Sequence, residues 1–304
     1  MSSSFTSRWP FGLTSDVDLL EDGFNKYAKQ LVVKTTNDAG LAVTMEGDLT
    51  NKGPLGSMSA SSKLGNKAFS LDLLRVKTDG RIAGEASYTI ATDSKVYLSV
   101  EDGRQEPGKP LQSYGKFGSR LKTHNSDVDV SVDLVNGPTF RGAATYTLPQ
   151  ANLSLGVEAQ INTHWEEKVA AGGTSGTSGG GSELEDLNVA VKFTQPSWSL
   201  SARTTDRLGT LTVAYLHQIS PNTLLGSRLD YGLQNNAQSM VLGVRTRLNE
   251  DCVVKARVDS SAVVAGVFQQ QLSNQVTMSI CAAVNVNDWA ADSHKFGLKL
   301  QVNT

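Results

Sequence analysis

Alternation of apolar and polar residues with a period of two is the feature that most constrains the fold of this chain. In the last eleven residues, Phe296, Leu298, Leu300 and Val302 are apolar, and small or polar residues stand between them. This alternation is typical of a β-strand with one apolar face and one hydrated face. The apolar face would meet a second sheet in a soluble sandwich, and lipid in a membrane barrel.

The same alternation recurs along the chain after residue 30. The apolar positions of four such segments are Leu41, Val43 and Met45; Val128, Val130, Val132 and Leu134; Leu187, Val189, Val191 and Phe193; and Val276, Met278, Ile280 and Ala282. Turn signals such as Asp79-Gly80 and Asn136-Gly-Pro138 separate the segments. Because most connections are short, neighbouring strands are expected to pair as antiparallel hairpins. We count about 19 strands, from residues 29–36 to residues 294–303, spaced as in a membrane barrel.

Composition and motifs argue against membrane-spanning helices and against enzyme chemistry. The 304 residues carry a net charge of -2, and no apolar run approaches the roughly 20 residues of a spanning helix. The two cysteines, Cys252 and Cys281, show no metal-ligand spacing. The histidines are scattered without zinc-site spacing: His124, His164, His217 and His294. We therefore predict no enzymatic activity, no cofactor, no metal site and no nucleic-acid partner.

One segment has helical periodicity. Ser15 is a suitable N-cap, with acidic residues in the following turn that favour the positive end of the helix dipole. An apolar stripe then follows on one side of the predicted helix: Val17, Leu20, Phe24 and Tyr27. The pattern predicts an N-terminal segment, residues 1–29, that contains an amphipathic helix over about residues 15–30.

A Gly/Ser-rich stretch interrupts the alternation between residues 166 and 186. Its composition predicts a flexible loop. The strand pattern is the same on both sides, so we expect no domain boundary there. Residues 30–304 are accordingly predicted to form one sheet.

The distribution of charge decides between a sandwich and a barrel. On residues 187–303 the polar face carries two acidic residues, Asp230 and Asp259, against nine basic ones. The basic residues are Lys192, Arg203, Arg228, Arg245, Arg247, Lys255, Arg257, Lys295 and Lys299. A soluble surface would mix both signs, whereas a lipid-facing wall around an aqueous lumen excludes charge from one face. The sequence therefore predicts an all-β fold, a single transmembrane antiparallel β-barrel in a lipid bilayer.

The C-terminal residues resemble those of eukaryotic mitochondrial porins, the voltage-dependent anion channel family. The resemblance is strongest over residues 252–304, and its motifs are Lys255-Ala-Arg257, Val264-Ala-Gly266, Gln271-Leu-Ser273, Val276-Thr-Met-Ser279 and His294-Lys-Phe-Gly297. Asp18-Leu-Leu20 followed by Phe24 is similar to the family's N-terminal helix, and Asp127-Val-Asp-Val130 fits its middle strands.

This resemblance implies a pore of the mitochondrial outer membrane with the N-terminal helix inside its lumen. Barrels of this family have 19 strands, and an odd number requires the first and last strands to close in parallel. The expected permeants are ions, small anions, phosphate and nucleotides such as ATP and ADP, with voltage gating and weak anion selectivity. The last strand also resembles the sorting signal read by the mitochondrial barrel-assembly machinery, here Lys295, Gly297, Leu300 and Val302. Self-association of barrels is a further expected partnership.

Two positions depart from the family pattern. The family's lipid-facing glutamate on the fourth strand falls on Leu73 or Leu74, where the alternation breaks and suggests a bulge in residues 68–78. A Gly-Leu-Lys motif of many members is replaced by Lys95-Val-Tyr97, which weakens any expectation of a nucleotide contact there.

A protein-import pore of the same membrane is the alternative function. It would share the barrel and the internal helix. Such a pore needs an acidic lumen for basic presequences, whereas the wall predicted here is basic. The sign of the lumen charge favours the anion channel.

Overall fold

The computed structural model describes residues 19–21, 24, 29–37, 40–50, 53–64, 68–104, 112–135, 138–164, 181–288 and 294–304. Within these residues the strands are β1 (Lys29–Thr36), β2 (Leu41–Thr50), β3 (Gly53–Leu64), β4 (Phe69–Lys77), β5 (Ile82–Ala91), β6 (Ser94–Arg104), β7 (Gln112–Lys122), β8 (Ser126–Asp133), β9 (Thr139–Leu148), β10 (Leu153–His164), β11 (Gly181–Thr194), β12 (Trp198–Thr205), β13 (Thr210–Ser220), β14 (Thr223–Gly232), β15 (Gln238–Asn249), β16 (Cys252–Asp259), β17 (Val263–Gln271), β18 (Val276–Asn285) and β19 (Lys295–Asn303). Residues 19–21 are helical, and Pro149–Ala151 form a short 3-10 helix between β9 and β10.

The strands form one closed, 19-stranded sheet in which each strand pairs with its neighbours in sequence. All of these pairs are antiparallel except the closing pair, in which β1 runs parallel to β19. In that pair Lys29 stands beside Leu298, and Lys34 stands beside Asn303. The fold predicted from the alternation, an all-β barrel of about 19 strands, is confirmed.

The two faces of the wall can be assigned from contacts and register. Phe24 packs inside the barrel against Ala265 and Ala283, which are directly opposed on β17 and β18. Their strand neighbours Val264 and Val284 therefore face outwards. Many large apolar side chains on this outer face are exposed, such as Phe296 at 65%. A wall that exposes this much apolar surface is stable only where lipid covers it.

The two ends of the barrel differ in the length of their connections. We call the end that carries residues 37–40, 92–93, 221–222 and 250–251 the turn end, because its connections have at most four residues. The opposite end, which we call the loop end, carries the start of β1 and the longest connection, residues 165–180. The N-terminal segment therefore meets the wall from the loop end.

Most aromatic side chains on the outer face lie towards the two ends of the barrel, although Phe117 and Phe268 lie near the middle of their strands. By register, those near the turn end are Phe69, Tyr88, Tyr146, Phe193, Trp198 and Tyr215. Those near the loop end are Phe140, Tyr231 and Phe296. Trp198 anchors the first group, with ring centroids 5.4 Å from Phe193 and 6.1 Å from Tyr215. Two aromatic belts flanking an apolar band are typical of barrels at the two membrane interfaces.

Two predicted boundaries are wrong by a few residues. The predicted flexible loop spans residues 166–186, but residues 181–186 belong to β11. They pair with the end of β10, His164 opposite Gly181, because the backbone hydrogen bonds of an extended partner strand outweigh the loop-like composition. The helix was extended to residue 30, but Lys29 and Gln30 already pair with β2 and β19. Residues 165–180 lie outside the described part of the chain.

The bulge suggested by Leu73-Leu74 is present. The pairing of β4 with β5 shifts between Leu71 and Leu73. After the shift Leu73 stands opposite Glu85, on the inner face, and Leu74 stands opposite Gly84, on the outer face with 44% exposure. The position expected to carry a lipid-facing glutamate in the family is thus occupied by leucine, which suits acyl chains.

Among the residues that the structure describes, no helix is long and apolar enough to cross a membrane.

Candidate functional site: the inner wall and the docked N-terminal segment

The inner wall of β14 to β18 carries an apolar patch that receives residues of the N-terminal segment. Leu20 and Phe24 are each 1% exposed. Phe24 packs on small and apolar side chains of β17 and β18, namely Ala265, Val267, Cys281 and Ala283. Burial of one leucine and one phenylalanine side chain contributes roughly 1.5–3 kcal/mol each. Val17 and Tyr27, the other members of the predicted stripe, lie outside the described residues.

Two glycines make room for this contact. A Cβ atom at Gly243 would lie 2.6 Å from Cδ2 of Leu20, and one at Gly226 would lie 2.9 Å from Cδ2 of Leu19. Gly226 and Gly243 are directly opposed on β14 and β15. Together they form a shallow depression that any larger residue would fill.

Two arginines of the barrel wall bind the N-terminal segment. Arg257 donates a hydrogen bond from Nη1 to the backbone oxygen of Leu20 at 2.9 Å, and its guanidinium lies 4.8 Å from the centroid of the Phe24 ring. Arg228 forms an ion pair with Glu21, and its Nε lies 2.9 Å from Oδ2 of Asp230. The cation–π contact contributes about 0.5–2 kcal/mol. The two arginines therefore bind both the charged side and the apolar side of the segment.

The register places all nine of the predicted basic residues on the inner face. These are Lys192, Arg203, Arg228, Arg245, Arg247, Lys255, Arg257, Lys295 and Lys299. On β18, Val276, Met278 and Ile280 face outwards, opposite Val302, Leu300 and Leu298 of β19. The nine are not one group, however, because Arg228 and Arg257 contact the N-terminal segment. Sequence reasoning missed this division, since it depends on which strands lie beneath the segment.

Charges on the inner face of β7 to β10 are arranged differently, because cations and carboxylates of neighbouring strands form pairs of opposite sign. Nε of Arg120 donates to Oδ2 of Asp129 at 2.8 Å, and Arg141 forms an ion pair with Glu158. In register, Lys122 stands opposite Asp127. The acidic residues of β8, which alternate along that strand, are thus compensated by cations of the neighbouring strands.

Tyr97 on β6 lies beside these charge pairs. It was not recognised from the sequence as a functional or structural residue. Its hydroxyl donates to Oδ1 of Asp129 at 2.8 Å, and the guanidinium of Arg120 lies 5.6 Å from its ring centroid. The ring occupies the space above Gly118, where any Cβ atom would overlap it. The signal that could have found it is the glycine at an inward position of β7, opposite an aromatic residue of β6.

The four residues of the predicted sorting signal lie together on β19, on alternate faces. Lys295 and Gly297 face inwards, opposite Ala283 and Cys281. Leu300 and Val302 face outwards, opposite Met278 and Val276. Their arrangement is that of the strand that closes the barrel against β1.

No group of three or more His, Cys, Asp or Glu side chains that could hold a metal ion occurs among the described residues. Both cysteines are buried, and neither forms a disulfide bond. Cys281 lies under Phe24 on the inner face, and Cys252 faces outwards, opposite Gln270.

Comparison with known proteins identifies the family. Residues 15–297 match the family described as eukaryotic porin. The chain is 24% identical over 291 residues to the mitochondrial outer membrane protein porin of 36 kDa from Solanum tuberosum, covering 90% of this chain and 92% of that protein. It is 24% identical over 295 residues to the mitochondrial outer membrane protein porin 1 from Arabidopsis thaliana, covering 93% of each.

An animal protein is similar to the same extent. The voltage-dependent anion-selective channel of Drosophila melanogaster is 24% identical over 291 residues, covering 94% of each chain. The similarity therefore extends over the whole barrel and is not confined to the C-terminal strands. Together with the closed barrel and its lipid-facing shell, these matches agree with the predicted location. The chain belongs to the eukaryotic porin family, as a β-barrel of the mitochondrial outer membrane.

Proposed function

We propose that this porin is a voltage-gated, weakly anion-selective channel that passes ions and small metabolites such as ATP, ADP and phosphate. The observation that carries the proposal is the segregation of charge on β11 to β19, where basic residues face inwards and apolar residues face outwards. A positive potential inside the lumen raises the local concentration of small anions. Because the acidic residues of β8 also face inwards, the preference for anions is weak.

The docked N-terminal segment supports the proposal of gating. Glu21 and the wall residue Arg228 form an ion pair, so moving the segment separates charges inside the lumen. One elementary charge moved across the full membrane potential changes the free energy by about 2.3 kcal/mol per 100 mV. A displacement that carries a few such charges would be sensitive to physiological voltages. In this proposal residues 1–29 move as a unit, and residues 30–304 form the wall.

Planar-bilayer recording tests both parts of the proposal. The purified protein is reconstituted, and the reversal potential is measured across a tenfold gradient of KCl. We expect a stable conductance, a reversal potential of the sign set by chloride, and a lower conductance at high voltage of either sign. A protein that inserts but does not conduct, or that strongly prefers potassium, would contradict the proposed function.

We also propose that Lys295, Gly297, Leu300 and Val302 are read by the mitochondrial barrel-assembly machinery. The two outward residues, Leu300 and Val302, offer apolar contacts, whereas Lys295 and Gly297 face the lumen. Assembly in isolated mitochondria tests this: replacing Leu300 and Val302 with serine should slow formation of the protease-resistant barrel. In the control, two outward-facing residues of β17, Val264 and Phe268, are replaced with serine. Equal slowing in both would show a general loss of lipid contact and no signal.

A further inference from the structure

One strand of the barrel extends beyond its neighbour at the loop end. β11 pairs with β10 over almost its whole length, from Gly181 to Phe193. On its other side, however, β11 pairs with β12 only over residues 190–194. Within the described part of the chain, residues 181–189 therefore pair with a single strand and form a sheet edge about 30 Å long. We call this edge the loop-end ledge.

The loop-end ledge begins at the membrane interface and continues into the aqueous phase. At its lower end, the amide of Val189 donates a hydrogen bond to Oγ1 of Thr204 at 2.9 Å. Thr204 lies at the level of Tyr231, two strands away in the loop-end aromatic belt. From that level, residues 188 to 181 run towards the loop end. The side chain of Glu183, near the far end of the ledge, is 79% exposed.

The neighbouring wall ends early because β12 turns back into β13 at residues 206–209. Asp206, Arg207 and Leu208 have φ values of 56°, 55° and 63°, and the amide of Gly209 donates to the backbone oxygen of Asp206 at 2.9 Å. This tight, left-handed turn reverses the chain before β12 can pair with the ledge. The ledge therefore results from the turn and from the greater length of β11.

Arg207 in this turn shows which chemical groups the ledge binds. Its backbone amide donates to Oδ1 of Asp186 at 2.9 Å, and its Nε donates to the backbone oxygen of Glu185. Its Nη2 lies 3.5 Å from Oε1 of Glu183. Arg207 thus binds a main-chain carbonyl and the carboxylates of the ledge at once. Its side chain is 55% exposed, so an arginine of another protein can reach the same groups.

The ledge and the adjacent turn are acidic. Residues 181–189 and 206–209 together carry four carboxylates and one guanidinium, a net charge of -3. This charge disfavours anionic lipid headgroups. It also disfavours pairing with the same edge of a second copy of the chain, since like charges across a strand pair destabilise it. A strand with basic side chains is electrostatically complementary to the ledge.

We propose that the loop-end ledge is a docking edge for an extended, basic segment of another protein. Such a segment adds a strand beside β11, and its main-chain hydrogen bonds provide affinity. Its lysine and arginine side chains contact Glu183, Glu185 and Asp206, which provides specificity. Arg207 is an internal latch that the arriving segment displaces. This interaction goes beyond the proposed channel function, because it requires no conduction.

Binding of a short basic peptide tests the proposal. The probe is a fluorescent peptide of alternating arginine and threonine, added to the full-length protein in nanodiscs that leave both mouths of the barrel open. Fluorescence anisotropy measures the Kd. We expect Glu183→Gln/Glu185→Gln to weaken binding about fivefold. The same peptide with every backbone nitrogen methylated keeps its charge but cannot donate to the ledge, so it should bind at least about tenfold more weakly.

Two matched controls separate the ledge from diffuse charge at the same mouth. Asp79→Asn/Asp288→Asn removes two carboxylates from other loop-end connections and should change the Kd less than about twofold. Arg207→Gln removes the latch and should tighten binding about threefold. Arg81→Gln removes another loop-end arginine, which is paired with Asp79, and should change the Kd less than about twofold.

Several outcomes would overturn the docking edge. Equal weakening in the two carboxylate variants, or equal affinity for the methylated peptide, would show that charge alone attracts the peptide. Absence of binding to the wild type would reject the edge directly. Binding that appears only after deletion of residues 166–180 would assign the ledge to this chain's own loop, and dimers in detergent in place of peptide binding would assign it to a second copy. Because anisotropy needs no ion flow, each result is independent of the channel.

Discussion

Small residues on the inner face decide how closely other groups approach the barrel wall. Gly243 and Gly226 admit the leucines of residues 19–20, and Gly118 admits the ring of Tyr97. None of these glycines requires a left-handed backbone, since none has a positive φ. Their role is to leave space, and a substitution that adds a side chain tests it.

Replacing Gly243 with valine should displace the N-terminal segment without opening the barrel. The new Cβ atom would lie 2.6 Å from Cδ2 of Leu20, while valine itself favours a strand. Cys281, which is 6% exposed beneath Phe24, then becomes accessible. We expect its alkylation by a water-soluble maleimide to become at least about tenfold faster, as for a segment docked by ~1.4 kcal/mol or more.

The reaction is measured in a Cys252→Ser background, so that Cys281 is the remaining thiol. Gly142→Val is the control, because Gly142 faces outwards opposite Val130 and has open space around it. An unchanged alkylation rate in Gly243→Val would show that the segment does not depend on this depression.

Replacing Tyr97 with phenylalanine should lower the stability of the barrel modestly. The ring remains above Gly118, but the hydrogen bond from its hydroxyl to Asp129 is lost. A hydrogen bond to a charged group contributes about 1.5–3 kcal/mol, and Asp129 keeps its contacts with Arg120, so we expect a loss near the lower value. Urea titration of the barrel in detergent micelles measures the change. Tyr88→Phe, on the outer face, should leave the midpoint unchanged.

At the scale of a single strand, the two faces differ so strongly that neighbouring residues have opposite tolerance for charge. On β18, Ile280 faces outwards opposite Leu298, while Ser279 faces inwards opposite Lys299. Both lie near the middle of the strand. This pair therefore isolates the effect of the face from the effect of position along the strand.

Ile280→Lys should impair insertion strongly, and Ser279→Lys should impair it much less, even though the new lysine stands opposite Lys299. A lysine on the lipid face near the bilayer midplane costs about 2–4 kcal/mol, whereas a lumen position is hydrated. The fraction of protein that migrates as the folded, heat-modifiable form after refolding into liposomes measures this difference. Equal yields for the two variants would contradict the assignment of faces.

Much of the strand arrangement could be predicted from the sequence, because period-two alternation is a local signal. Even the bulge at Leu73 was indicated by two adjacent leucines in an otherwise alternating segment. The strand at residues 181–186 could not be predicted, since Leu184 is its only apolar residue and one residue defines no alternation. These residues pair with the end of β10 because backbone hydrogen bonds extend the two strands beyond their apolar parts. Local composition does not predict such a pairing.

At the scale of the whole barrel, the lumen has a compensated sector and a basic sector. Cations of β7 and β9 face carboxylates of β8 and β10, whereas β15 and β16 place cations opposite each other. The sequence predicted the excess of basic residues in the second half. It could not predict which of them bind the N-terminal segment, because contacts such as Arg257 with Leu20 join residues 237 positions apart.

Neutralising one charge in each sector should shift ion selectivity in opposite directions. Asp127→Asn removes an inward negative charge opposite Lys122 and should increase the preference for chloride. Lys299→Gln removes an inward positive charge opposite Ser279 and should decrease it. Reversal potentials in a KCl gradient should move by a few millivolts each, and more at low salt, where screening is weaker. Shifts of the same sign would contradict the assignment of these residues to one aqueous lumen.

The parallel seam between β1 and β19 determines how the polypeptide could be re-engineered. Both strands run from the loop end to the turn end, so Lys29 and Asn303 lie at opposite mouths of the barrel. In a barrel with an even number of strands, the corresponding positions share one mouth, and a few residues can join them. Here a joining peptide would have to traverse the thickness of the membrane, about 25 Å of wall, with at least roughly eight extended residues. A short linker that joins Asn303 directly to Lys29 is therefore excluded for this porin, and labels placed at these two residues would report on opposite sides of the bilayer.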